Sequence, residues 1–202
     1  MKKLISFLLC VVLLAALALP GASAAGKFDK SVFQNSTKYS QTSFNDWNLQ
    51  GHYIKQYSNA RIMIYSLLFS NYVDKGWGPE LRVYYYDPAT RTNFQVTGFR
   101  ADINGTKYCF DNLGKGDNGA GYCFGGTVQE AFFKALLNVK TVSFELEYID
   151  LAGNYMTGWD THIHTGELSE LIDMAKYLLQ SNAFSVDSDP KSSDSMYGAS
   201  IK

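Results

Sequence analysis

The feature that most constrains the fold is Asn104-Gly105, set between two short runs of strand-like sequence. Before it, Phe99, Ala101 and Ile103 alternate with Arg100 and Asp102; after it, Thr106 to Phe110 leads away. Asn and Gly both tolerate positive φ, which a two-residue hairpin turn requires. Alternation of period two beside such a turn specifies an antiparallel pair with one apolar and one polar face. A chain committed to this hairpin must bury its apolar face against something else.

Further strands follow the same logic. Leu81, Val83 and Tyr85 alternate with Arg82, Tyr84 and Tyr86, after the turn Gly76-Trp77-Gly78-Pro79. Asp87-Pro88-Ala89-Thr90 turns into a strand around Asn93–Thr97, and Ile62 to Phe69 reads as a buried strand. Val142, Phe144, Leu146 and Tyr148 alternate with Ser143, Glu145 and Glu147, and residues 155–164 return as the partner strand. Two stretches carry helical spacing instead. Val128, Ala131, Phe132, Ala135, Leu136 and Val139 predict a helix over 128–138, opened by a capping box at Thr127-Val128-Gln129-Glu130. Leu168, Leu171, Ile172, Ala175, Leu178 and Leu179 mark a second helix starting near Gly166. The expected fold is α+β, a mostly antiparallel sheet with two amphipathic helices packed on it. A β-sandwich with peripheral helices is the alternative.

The N-terminus constrains location. Lys2 and Lys3 precede an apolar run from Leu4 to Leu19, then Pro20-Gly21 and the small-residue site Ala22-Ser23-Ala24. This is the three-part pattern of a secretory signal peptide, with cleavage expected near Ala24. Removing it takes the net charge from −1 to −3. That balance gives no drive toward nucleic acid. No later apolar run approaches the length of a membrane span. Residues 25–46 read as a polar extended arm, 47–184 as a single α+β domain and 185–202 as a flexible polar tail. The expected location is secreted or periplasmic. The leader's Lys-Lys start suggests a bacterial protein.

Removal of the leader leaves two cysteines, Cys109 and Cys123. An even pair in an oxidising compartment is expected to form one disulfide. It would close the glycine-rich loop from Asp111 to Gly126, which lacks the spacing of a phosphate or calcium loop.

Three groups of residues could carry function. Exposed aromatics at Trp77, Tyr84 and Tyr86 could stack on sugar rings or anchor a protein partner. Asp160, His162 and His164 would share one face of a strand and could hold a divalent transition metal, with His52 or Glu167 as fourth ligand. No cofactor is otherwise expected. Glu145 and Glu147 share a strand face, as carboxylates flanking a substrate would, but alternating acids are also what a wet sheet face looks like. No nucleophile motif is present. The favoured expectation is a small soluble extracytoplasmic domain, non-catalytic, that binds a protein or a cell-envelope component. The alternatives are a glycan-binding module using the aromatics, and a metal-binding protein or metal-dependent enzyme using the Asp-x-His-x-His stretch.

Overall fold

The hairpin at Asn104-Gly105 is present, and it anchors the sheet. In a computed structural model, which describes residues 48–56, 61–69, 72, 73, 75–87, 90–160 and 163–202, both turn residues take positive φ, 55° and 84°. Only the backbone is described for residues 48–56, 61–69, 159 and 160. Asn104 does more than turn the chain. Its side-chain oxygen accepts from the backbone N–H groups of Lys140 and Thr141 at 2.8 and 3.1 Å, and its amide donates to the Asn138 carbonyl at 3.0 Å. The hairpin tip thereby fixes a connection more than thirty residues downstream.

Among the described residues, ten strands, all paired antiparallel, form one curled sheet. They are β1 (Asn48–Gln56), β2 (Arg61–Phe69), β3 (Glu80–Asp87), β4 (Thr92–Ile103), β5 (Thr106–Phe110), β6 (Gly114–Lys115), β7 (Gly121–Phe124), β8 (Val142–Ile149), β9 (Tyr155–Asp160) and β10 (Ala199–Ile201). The helices among the described residues include α1 (Thr127–Leu136), α2 (Ser169–Gln180) and α3 (Pro190–Met196). The main path runs β1-β2-β3-β4-β5-β10, with β7 also on β3, β6 on β7, β8 on β4 and β9 on β8. The fold is α+β.

The two strands expected at 93–97 and 99–103 are one, β4, with an irregularity in its β8 register between Val96 and Gly98. Extra residues of this kind bend a strand and increase its twist. The bend explains the curl. The start of β4 pairs with β3, and its second half pairs with β5. Between them lies a fork. The glycine-rich segment fills it, with the Leu113 N–H donating to the Thr97 carbonyl at 2.9 Å. A Cβ on Gly119 would lie 2.6 Å from the Phe94 carbonyl oxygen, and one on Gly121 would lie 2.9 Å from that of Val96. Here the glycines let two backbones meet. The segment is a wedge rather than a flexible loop.

The core sits between the concave sheet face and the helices. Phe99 of β4 contacts Phe110 of β5, Phe144 of β8 and Phe132 of α1, at ring-centroid distances of 6.2, 5.4 and 6.0 Å. Phe133 and Leu136 of α1 and Leu171, Met174 and Leu178 of α2 are fully buried around them. The helical stripes read from the sequence are the faces that pack.

Three expectations are corrected. First, Cys109 and Cys123 are free buried thiols. Cys109 is paired with Arg100, on the face opposite Phe99 and Phe110, whereas Cys123 is paired with Leu81 in the core. Alternation along the strands therefore aims the two sulfurs to opposite sides of the sheet. Second, α1 has no capping box. Its N-cap position is Gly126, and Glu130 pairs instead with Lys134 at 2.6 Å. Third, residues 185–202 do not form a frayed tail. They contain α3 and β10, and β10 pairs with β5. The leader at 1–24 and the arm at 25–46 lie outside the described residues.

Candidate functional site

The site is built where the segment before β3, strand β7 and the C-terminal segment meet. Trp77 sits between Gly76 and Gly78, both at positive φ, and its backbone N–H donates to the Tyr72 carbonyl at 2.9 Å. The glycines allow the chain to reverse around the indole, and the hydrogen bond fixes it. Tyr72 stacks on Trp77 at 5.6 Å and 13°, and Phe124 lies 4.9 Å from Tyr72 and 5.6 Å from Trp77. Tyr122 extends the aromatic floor, 5.2 Å from Phe124. Trp77 is nevertheless 47% exposed. It opens on a cavity of about 390 Å³, within the usual range for small-molecule sites.

The opposite wall comes from residues 187–197. It is clasped to the body by two carboxylates. Asp187 accepts from the Gly126 N–H at 2.7 Å and from the Asp189 N–H at 3.1 Å. Asp194 accepts from the backbone N–H groups of Thr127 and Val128, each at 3.1 Å, and from the Thr127 hydroxyl. Asp194 thus caps α1 from 66 residues away, satisfying N–H groups that a helix start leaves open. The glycines make room. A Cβ at Gly125 or Gly126 would come within 2.5 Å of an Asp187 or Asp194 oxygen. Asp189 in turn caps α3 by accepting from the Ser192 N–H at 3.1 Å, with Pro190 at the first helical position.

These contacts leave a cavity of mixed chemistry. Its walls include Trp77, Tyr122, Phe124, Met196 and Tyr197, together with Asp187, Asp189 and the serines 188, 192 and 193. The three serine hydroxyls make no hydrogen bond among the described residues. Burial pushes the Tyr197 phenol well above its ordinary value. The Lys75 ammonium lies 5.7 Å from the Trp77 ring centroid, a cation–π distance. An apolar aromatic surface faced by hydroxyls and carboxylates can hold a ring with one apolar face and several polar substituents.

The structure sorts the residues singled out in the sequence. Trp77 is in the cavity wall. Tyr84 and Tyr86 are not; they are half-buried on β3, on the face that Glu80 and Arg82 share. Of the Asp-x-His-x-His stretch, the backbone of Asp160 ends β9, and His162 lies outside the described residues. His164 is exposed, beyond the strand, and its backbone N–H donates to the Glu167 carboxylate at 3.0 Å ahead of a short 3-10 turn. The strand thus stops short of the expected 164. No group of three or more His, Cys, Asp or Glu able to hold a metal occurs among the described residues.

Glu145 and Glu147 are not an open carboxylate pair. Both close on Arg100, at 2.5 and 2.6 Å, and Asp111 takes the same guanidinium at 2.8 Å. Burial opposes the charge of Arg100, but hydrogen bonds to Asp111, Glu147 and Glu145 outweigh it and hold the group protonated. Glu80 is a different case. It is fully buried, its Oε1 accepts from Arg82 at 2.5 Å, and its Oε2 has no partner among the described residues. Burial raises its pKa, and Arg82 opposes the rise.

Sequence reasoning missed the whole second wall, Asp187 to Tyr197. One signal was available there. Asp189-Pro190 is an N-cap followed by the residue preferred at the first helical position. Comparison with known protein families, curated proteins and solved structures finds no match to this chain.

Proposed function

We propose that the protein is an exported, non-catalytic domain that binds a saccharide at the Trp77 cavity. The carrying observation is an indole, 47% exposed, at the mouth of a cavity of about 390 Å³ whose far wall offers three unbonded hydroxyls. A pyranose ring has an apolar face for the indole and equatorial hydroxyls for serine and aspartate. Binding rather than turnover is supported by the acids present. Asp187 is held by backbone N–H groups through both oxygens, so it serves as a structural clasp for the wall. The leader pattern at residues 1–24 supports an extracytoplasmic location, where a cell-envelope glycan is available.

The test is titration of a panel of soluble oligosaccharides against tryptophan fluorescence, with Trp77→Ala as control. The reading expects at least one binder whose affinity falls more than about tenfold in the variant, with an unchanged circular dichroism spectrum. A panel without binders, or a binder indifferent to Trp77→Ala, rejects it.

A protein partner is a second reading, supported by the β8–β9 hairpin. Leu151, Tyr155 and Met156 are exposed there to 67, 78 and 43%. A photo-crosslinking side chain at position 155 tests it in cells. A discrete adduct favours the partner; adducts no different from those at an exposed polar position argue against one.

A further inference from the structure

We infer that the saccharide held at Trp77 carries a free amino group, so that the ligand is a cationic amino sugar; this rests on the glycan reading above. Three observations converge. Among the described residues, the cavity walls contain two carboxylates, Asp187 and Asp189, and no Lys, Arg or His. The two acids are not equally occupied. Asp187 uses both oxygens on backbone N–H groups, whereas Asp189 uses Oδ1 for Ser192 and leaves Oδ2 without a hydrogen bond among the described residues. Finally, the Trp77 ring already holds an ammonium, that of Lys75, at 5.7 Å.

Together these describe a place for a second ammonium attached to an apolar ring. The sugar face covers the indole and the serines take its hydroxyls. The amine reaches Asp189 Oδ2 and the π-face, both attractive to a cation. A uronate or a sugar phosphate would meet two carboxylates, with only the solvent-exposed Lys75 at the Trp77 ring, among the described residues, set to offset them. Lys75 is exposed, and it competes for the same ring. Its ammonium stands in for the ligand's when the cavity is empty of sugar.

The experiment compares three tetrasaccharide probes by calorimetry: a glucosamine oligomer, its N-acetylated counterpart and a glucuronate oligomer. Asp189→Asn removes the charge while retaining a side chain that caps α3 nearly as well. Lys75→Ala removes the competitor. The inference expects the free-amine probe to bind about fivefold or more tightly than the acetylated one, the scale of a partly exposed ionic contact. That preference should vanish in Asp189→Asn, shrink at high salt and grow in Lys75→Ala. Equal binding of amine and acetylated probes, or strongest binding of glucuronate, overturns the amino-sugar inference and leaves the glycan reading standing. A preference that survives Asp189→Asn overturns the assigned contact. Absence of binding by all three, and by the wider panel, overturns the glycan reading itself.

Discussion

At the scale of single residues, the buried polar groups set the most direct expectations. The Cys123 thiol is buried, and burial drives its pKa far above the ordinary thiol range, although a weak contact from Gln129 at 3.6 Å pulls the other way. Only the thiolate reacts readily. Cys109 is also buried, out of reach of a reagent, so protein lacking residues 1–24 should show no fast-reacting thiol when native, and two when unfolded without reductant. A count of zero in the unfolded chain would mean that Cys109 and Cys123 are bonded. Glu80 gives a pH dependence. Its folded-state pKa is raised, so the folded protein binds this proton more tightly than the unfolded chain does. The resulting stabilisation is complete below the unfolded value and is lost as pH rises through the folded one. Relative to Glu80→Gln, the parent protein should thus gain stability as pH falls from neutral into the carboxylate range. Urea midpoints measured across that range check the sign. Asp194 is the third case. Asp194→Ala should cost about 1–2 kcal/mol, the value of a lost helix cap, with Asp194→Asn recovering part of it. A lower urea midpoint with an unchanged slope is the expected reading.

At the scale of elements, sequence legibility followed the locality of the cause. The Asn104-Gly105 hairpin, β8 and the packed stripes of α1 and α2 were readable because turn chemistry and side-chain period act over a few residues. The wedge at 113–121 was not readable as structure. Its glycines are required by the Phe94 and Val96 carbonyls, about twenty-five residues away in the chain. The same holds for α1. Thr127-Val128-Gln129-Glu130 has the pattern of a capping box, yet the cap comes from Asp194, a long-range contact that no local window contains. The wedge yields its own prediction. Gly121→Ala places a Cβ 2.7 Å from Leu113 Cδ1 and 2.9 Å from the Val96 oxygen, and the second of these is backbone that cannot swing away. It should destabilise by about 1–3 kcal/mol, the range for overpacking. Gly105→Ala has open space and only its positive φ to contend with, so it should cost less. Thermal melts of the two variants, side by side, separate crowding from turn strain.

At the scale of the whole molecule, the C-terminal segment decides whether there is a site at all. Its composition of Ser, Asp and Lys reads as solvated tail, because few of its side chains are apolar. Besides the buried Tyr197, what holds it is charge-assisted bonding at the start of helix α1 and main-chain pairing of β10 with β5, neither of which leaves a hydrophobic pattern. Deleting residues 185–202 should therefore lower the melting temperature sharply and abolish saccharide binding, whereas loss of an unattached tail would change neither. Trp77 was legible as a candidate since a Gly-flanked aromatic in a turn tends to be exposed; its opposite wall was not. The antiparallel pairing of β5 with β10 joins positions about ninety residues apart, and Asp194 reaches back 66. A chain that emerges from its N-terminus, whether from the ribosome or through an export channel, cannot cap α1 or close this cavity until residues 187–201 have passed. The cap of α1 and the second wall of the cavity are thus the last parts of the fold that the chain can complete.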